Sequence, residues 1–180
     1  MNTALFDALE ERAFKLKDIK RAQIRLAPTV FNLHGKLSKY KAKFDALISA
    51  HYTAAVIIED HVLTLGQFSP ERYDDPALRR AAAELIDIQP DETLKDVQSV
   101  VEFELFDGTK ISKRCEFPRG SAENPLTRAQ IEGKLRAYGK DRLSPQAIDR
   151  VVAAVSSLEN LGSVRELMQL LRQDKRAAAA

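Results

Sequence analysis

A chain of 180 residues is long enough for one domain, or for one domain with an extension. Hydrophobic residues at 44% and charged residues at 30% exclude a disordered chain, and a net charge of +2 is too balanced for a general nucleic-acid binder. The single cysteine excludes an internal disulfide framework and a cysteine-rich zinc site, and suits a reducing cytoplasm; no apolar run approaches a membrane span, and MNTALFDALEER carries no signal-peptide pattern.

Leu5, Phe6, Leu9 and Ala13 recur at helical spacing, which predicts an amphipathic helix over residues 3–15. From Ile19 the period becomes two. Ala22, Ile24 and Leu26 face one way and Arg21, Gln23 and Arg25 the other, as in a half-buried strand that Pro28 ends. Residues 29–43 are less regular and carry Lys36, Lys39, Lys41 and Lys43 around Tyr40. Such a run is either a solvated basic loop or a cationic patch for an anionic substrate or partner.

Residues 45–60, DALISAHYTAAVIIED, leave so little polar surface that they predict one central helix. Its polar members, Ser49, His51 and Tyr52, need hydrogen-bond partners. They are either satisfied groups at a packing surface or one edge of a cleft, with the Tyr52 hydroxyl as a proton donor or a bond to substrate. Ser69-Pro70 and Asp75-Pro76 each place a cap before a proline at the first helical position. The second leads through ALRRAAAELI into a short strand at Leu85 to Ile88, broken by Pro90.

Val97 to Phe117 reads as a hairpin turning at Asp107-Gly108. A two-residue turn would set Glu104 opposite Ile111 and mix charge with apolar side chains on both faces. A three-residue loop, Phe106-Asp107-Gly108, sets Leu105 opposite Thr109, Glu104 opposite Lys110 and Phe103 opposite Ile111. It gathers the apolar residues on one face, with Lys113 the single misfit, and requires positive φ at Gly108.

The stretch GSAENPLTRAQIEGKLR, residues 120–136, is a loop ending in a strong helix start. Thr127 and Gln130 form a capping box, Leu126 and Ile131 can staple, and Pro125 holds Asn124 extended. Leu143-Ser144-Pro145 repeats that logic ahead of Ile148, Val151, Val152, Val155 and Leu158. Ser163 opens a last helix with Val164, Leu167, Met168 and Leu171, and residues 173–180 read as a disordered tail. No phosphate loop, dinucleotide fingerprint, nucleophile elbow or metal-spaced His/Asp/Glu set is present, so no metal site is expected. Cys115 sits on an apolar strand face with no group placed to activate it.

Two segments carry a family resemblance. SAHYTAAVIIEDHVLTLGQF resembles a pattern of Ser, Tyr, Ala, Gly and Phe at fixed spacing, and GSAENPLTRAQIEGKLR resembles a loop-and-helix motif built on Asn-Pro and a later Lys. Both are similar to the family of 2-methylcitrate dehydratase, cis-aconitate decarboxylase and iminodisuccinate epimerase, MmgE/PrpD, over about Thr3 to Leu171. The resemblance implies an α+β lid-like domain over residues 1–140, a small antiparallel sheet with packed helices. Closing C-terminal helices over 141–172 would pack with the large helical domain of full-length relatives.

It further implies dehydration, decarboxylation or epimerisation of a small polycarboxylate, in the cytoplasm and without a cofactor. The family's helical half, which carries most of its acid/base residues, would come from a separate chain, or the domain would self-associate. The alternative is a stand-alone remnant used for binding or assembly. Carried over onto this sequence, Tyr52 matches the family tyrosine and would be catalytic. Ser49, His51, Lys36, Lys39 and Arg119 would bind substrate, and Asn124, Pro125 and Lys134 match the motif. Three departures stand out: Asp60-His61 where a glycine commonly ends the buried helix, four extra residues Asp45 to Ile48, and Ser121-Ala122 in place of a His-containing loop.

Overall fold

A computed structural model describes residues 1–172 of the protein; the tail expected at 173–180 lies outside the described residues. The chain folds as two compact units, Met1–Pro125 and Leu126 onward, so the helix that follows the Asn-Pro loop belongs to the second.

In the first unit, α1 (Asn2–Glu11) leads through a short 3₁₀ turn into β1 (Ile19–Leu26). The strand buries Ile19, Ala22, Ile24 and Leu26, the face its alternation predicts. Pro28 opens α2 (Pro28–Val30), which widens into a π-helical turn at Phe31–Gly35.

The apolar run expected as one helix is two, α3 (Lys43–Ile48) and α4 (Ala50–Asp60). Ser49 divides them. Its backbone is extended, its hydroxyl accepts the Tyr52 N–H at 3.0 Å and donates to the Leu37 carbonyl at 2.5 Å. A capping serine in extended geometry starts a new helix, whatever the hydropathy on either side. Asp45 to Ile48 fall within α3. Every residue of α4 from Ala50 to Ile58 is buried, as befits a central helix.

The helix ends at His61, in left-handed geometry (φ 57°) with its N–H on the Ile57 carbonyl at 2.8 Å. That geometry is nearly free for glycine and strained for other residues, a physical reason for glycine to be common there. Next come α5 (Pro70–Tyr73) and α6 (Pro76–Arg80), each with proline in its first turn. Asp75 caps α6 through the Ala77 and Leu78 N–H groups. A second π-helical turn, Ala81–Leu85, delivers the chain to β2 (Ile86–Pro90).

β3 (Ser99–Leu105) and β4 (Lys110–Cys115) complete a sheet ordered β2-β1-β3-β4. The α+β class is as expected. The sheet is mixed rather than wholly antiparallel, because the helices between β1 and β2 return the chain to pair in parallel, Ala22 with Ile86 and Ile24 with Ile88. In the hairpin Phe103 pairs with Ile111 and Glu104 with Lys110. The Leu105 N–H reaches Thr109, and Gly108 has φ 86°. The three-residue loop therefore forms.

Lys113, expected to reach solvent from the core face, pairs instead with Glu11 at the end of α1. The inward side chains of all four strands share one core with Ala4, Leu5, Ala8 and Leu9 of α1 and the apolar residues of α4.

In the second unit, Thr127 caps α7 (Arg128–Gly139) with the reciprocal bonds of a capping box to Gln130. Ser144 caps α8 (Pro145–Ser156) through the Ala147 N–H at 3.2 Å, and Leu143 packs with Ala147 and Ile148. Ser163 caps α9 (Val164–Leu170). Among the described residues no helix is long and apolar enough to cross a membrane.

Candidate functional site

α4 presents its polar residues at its N-terminal end, and each of the three meets different surroundings. Tyr52 is fully buried. Its ring packs edge-on between Tyr40, at 4.9 Å, and Phe68, at 5.8 Å, and its hydroxyl donates to the Gln67 carbonyl. Burial raises the phenol's pKa, helped by Tyr40 and opposed by Arg72. Of the two readings of Tyr52, packing group or cleft edge, the first describes it within this chain, where the hydroxyl closes a hydrogen bond to the Gln67 carbonyl. A ring with apolar neighbours on its faces and one acceptor at its tip is the usual satisfied state of a buried tyrosine.

His51 is 6% exposed, and its Nδ1 has no hydrogen-bond partner among the described residues. Burial lowers its pKa, with Asp87 opposing, which favours the neutral ring. His51 and Lys36 line the same cavity, of about 440 Å³, together with Glu84 and Asp87. Gly35 makes the wall here. A Cβ at this position would lie 2.4 Å from the Phe31 ring, so only glycine lets that ring pack.

Ser49 lines a different cavity of about 330 Å³, with His34 and Thr53, and both its donor and its acceptor are engaged by backbone. Lys39 is exposed and lines neither cavity. Arg119 also lines neither. Its guanidinium bonds Glu10 at 2.7 Å and Asp7 beside it, and its backbone N–H reaches the Thr3 hydroxyl at 3.0 Å. Two carboxylates already match its charge, which ties the 118–124 loop to α1.

Asn124 closes that same loop. Its side-chain amide donates to the Phe117 carbonyl at 3.0 Å, and its own carbonyl accepts the Gly120 N–H at 2.7 Å, with Gly120 at φ 96°. Pro125 and Lys134 are exposed. Of the nine residues singled out from the sequence, Lys36 and His51 line one cavity.

Sequence reasoning missed two features. Arg72 joins Asp60 and Asp75, which are 15 positions apart, beside a cavity of about 720 Å³; only the Arg72–Asp75 spacing hinted at it. The Tyr40 hydroxyl is buried without a partner among the described residues, its pKa raised by burial to about 12, while the Arg79 guanidinium stacks 4.9 Å from the ring centre. Among the described residues no cluster of His, Cys, Asp and Glu could hold a metal ion.

A mixed four-stranded sheet with a buried helix behind it, an Asn-Pro loop pinned to the first helix and a following helical unit define an α+β domain followed by C-terminal helices. The model of the MmgE/PrpD C-terminal domain matches residues 3–160. The chain belongs to the MmgE/PrpD family, of which it carries the C-terminal domain. No curated protein matches it.

Proposed function

We propose that this chain is the lid part of an MmgE/PrpD-type enzyme. Its reaction would be dehydration, decarboxylation or epimerisation of a small polycarboxylate, and it works with a helical half that supplies most of the acid/base groups. Proton removal beside a carboxylate needs a positioned base and cations to hold the charge. Lys36 and Lys39 are the exposed cations of this domain best suited to the second task, since Arg119 is already matched by Asp7 and Glu10.

The observation that carries the need for a helical half is the open apolar surface of the closing helices. Val155 is 54% exposed, Val164 68% and Met168 56%. Exposed apolar side chains on both of these helices are what a covering partner surface would bury. Burial of Tyr52 and the engagement of Arg119 favour a second reading, a stand-alone domain retained for binding or assembly.

The experiment is co-expression with helical-half proteins encoded beside it in its host, followed by turnover assays on 2-methylcitrate and cis-aconitate. The expected result is no turnover by the purified chain and turnover by the complex. Activity of the chain alone would overturn the need for a second half. A stable complex without activity would favour the second reading.

A further inference from the structure

The cavity of about 330 Å³ that Ser49 lines lies against the first turn of α4, since Ala50 and Thr53 line it too. The first N–H groups of a helix find no carbonyl in a preceding turn. In α4 the Ser49 hydroxyl takes the Tyr52 N–H at 3.0 Å. Ser49 is extended, with φ −81° and ψ 114°, so the N–H groups of Ala50 and His51 are left without a partner among the described residues.

Thr53 supplies a third donor. It is 8% exposed, it lines the cavity, and its hydroxyl has no hydrogen-bond partner among the described residues. The oxygen is not sealed in as the hydroxyls of Tyr40 and Ser99 are, so it keeps accessible surface. A nearly buried hydroxyl of that kind is an unmet hydrogen bond. Ala50 and Thr53, three positions apart, are neighbours on one helix face.

Much of the remaining lining is apolar, with Leu26, Val30, Leu47 and Val97, and the His34 ring is fixed in it by Nδ1 on the Ile48 carbonyl at 2.9 Å. No Lys, Arg, Asp or Glu side chain lines the cavity. Neutral donors at the positive end of a helix dipole suit one negative charge. A phosphate dianion or a triacid would be desolvated here with no cationic side chain to match it. A single carboxylate on an aliphatic body meets both the donors and the apolar wall.

We propose that this cavity binds a short aliphatic monocarboxylate. Its carboxylate sits on the N–H groups of Ala50 and His51 and the Thr53 hydroxyl, and its chain lies against Leu26, Val30, Leu47 and Val97. The site goes beyond the lid reading, does not rest on it and uses neither Lys36 nor Lys39. The cavity is formed by the first unit alone, so a failure to assemble with a helical half leaves the following test unaffected.

The test is an NMR titration of the 180-residue chain with hexanoate, with 1-hexanol, which keeps the chain without the charge, and with citrate. The expected result is saturable shifts at the Ala50, His51 and Thr53 amides with hexanoate, and binding of the other two weaker by at least about tenfold. Thr53→Val keeps the side-chain shape and removes the donor. Because that hydroxyl has no partner in the free chain, the variant should melt as the parent does and bind hexanoate about tenfold more weakly. Leu47→Glu, at an exposed position of the lining, sets a like charge beside the carboxylate and should weaken hexanoate by a similar factor. Absence of saturable shifts in the first turn of α4, equal binding of 1-hexanol or citrate, or unchanged hexanoate binding by either variant would overturn the site.

Discussion

Arg119 bonds Asp7, 112 positions earlier in the chain, and takes Glu10 one turn further along the same helix. The pair fixes the loop that precedes Asn124 against α1. The Arg119 hydrogen bond holds the Glu10 carboxyl below its ordinary pKa; burial opposes it, and the Arg119 charge adds to the lowering. A depressed carboxyl contributes stability that is present above its unfolded value, near pH 4.3, and is lost as pH falls through the folded value. Arg119→Ala should therefore lower the midpoint of denaturation at pH 7, and the gap from the parent should narrow as pH falls below about 4. Urea melts at the two pH values check this; a gap that stays constant would show that the Thr3 contact and packing carry the effect.

Ser49→Ala removes both the cap of α4 and the bond to the Leu37 carbonyl. A lost cap costs about 1 kcal/mol, and a buried carbonyl left open adds a similar amount, so the variant should lose about 2 kcal/mol. Chemical denaturation measures it. A loss below about 0.5 kcal/mol would mean that α3 and α4 can fuse into the single helix their hydropathy favours.

Tyr52→Phe leaves the Gln67 carbonyl without its donor. The expected cost is about 1–2 kcal/mol of stability, read in the isolated chain. In the active complex, the same change tests the family role of this tyrosine. A fall in turnover of about a hundredfold at full folding would show that the hydroxyl exchanges its core bond for substrate when the helical half is present.

His61 occupies a left-handed position at the end of α4 and also bonds the Phe14 carbonyl through Nε2 at 2.8 Å. His61→Gly relieves about 1 kcal/mol of backbone strain and loses a hydrogen bond of similar worth, so stability should stay within about 1 kcal/mol of the parent. His61→Val keeps the strain, worsens it by β-branching and loses the bond, and should cost about 2 kcal/mol or more. Thermal melts of the two variants separate these terms.

Much of the fold was legible because local signals agreed with one another. Period-two alternation in β1 and the apolar pattern of the hairpin named the buried faces, and the register at Phe103 and Ile111 followed from requiring one dry side. The capping residues Asp75, Thr127, Ser144 and Ser163 marked the starts of α6, α7, α8 and α9, with proline following the cap in α6 and α8. The break at Ser49 was hidden because a serine inside an apolar run looks like a tolerated polar residue until the Leu37 carbonyl is seen beside it.

The surroundings of the site residues depend on contacts distant in sequence. Nothing near Arg119 announces Asp7 and Glu10, and nothing near Tyr52 shows that the Gln67 carbonyl waits in the core. The parallel pairing of β2 with β1 escaped for the same reason, since it is made by strands some sixty positions apart.

Lys113 stands on the apolar face of β4, the strand that ends the sheet, and is held there by Glu11. An open strand edge is a template on which a second chain can build. With Lys110, Lys113 and Arg114 along it, two copies aligning edge to edge would bring like charges together, and the Glu11 bond would have to break before Lys113 could move aside. The one residue that spoils the hairpin's hydrophobic pattern thus leaves the open edge of the sheet charged, and a Lys113→Val variant is expected to self-associate at lower concentration than the parent, as sedimentation would show.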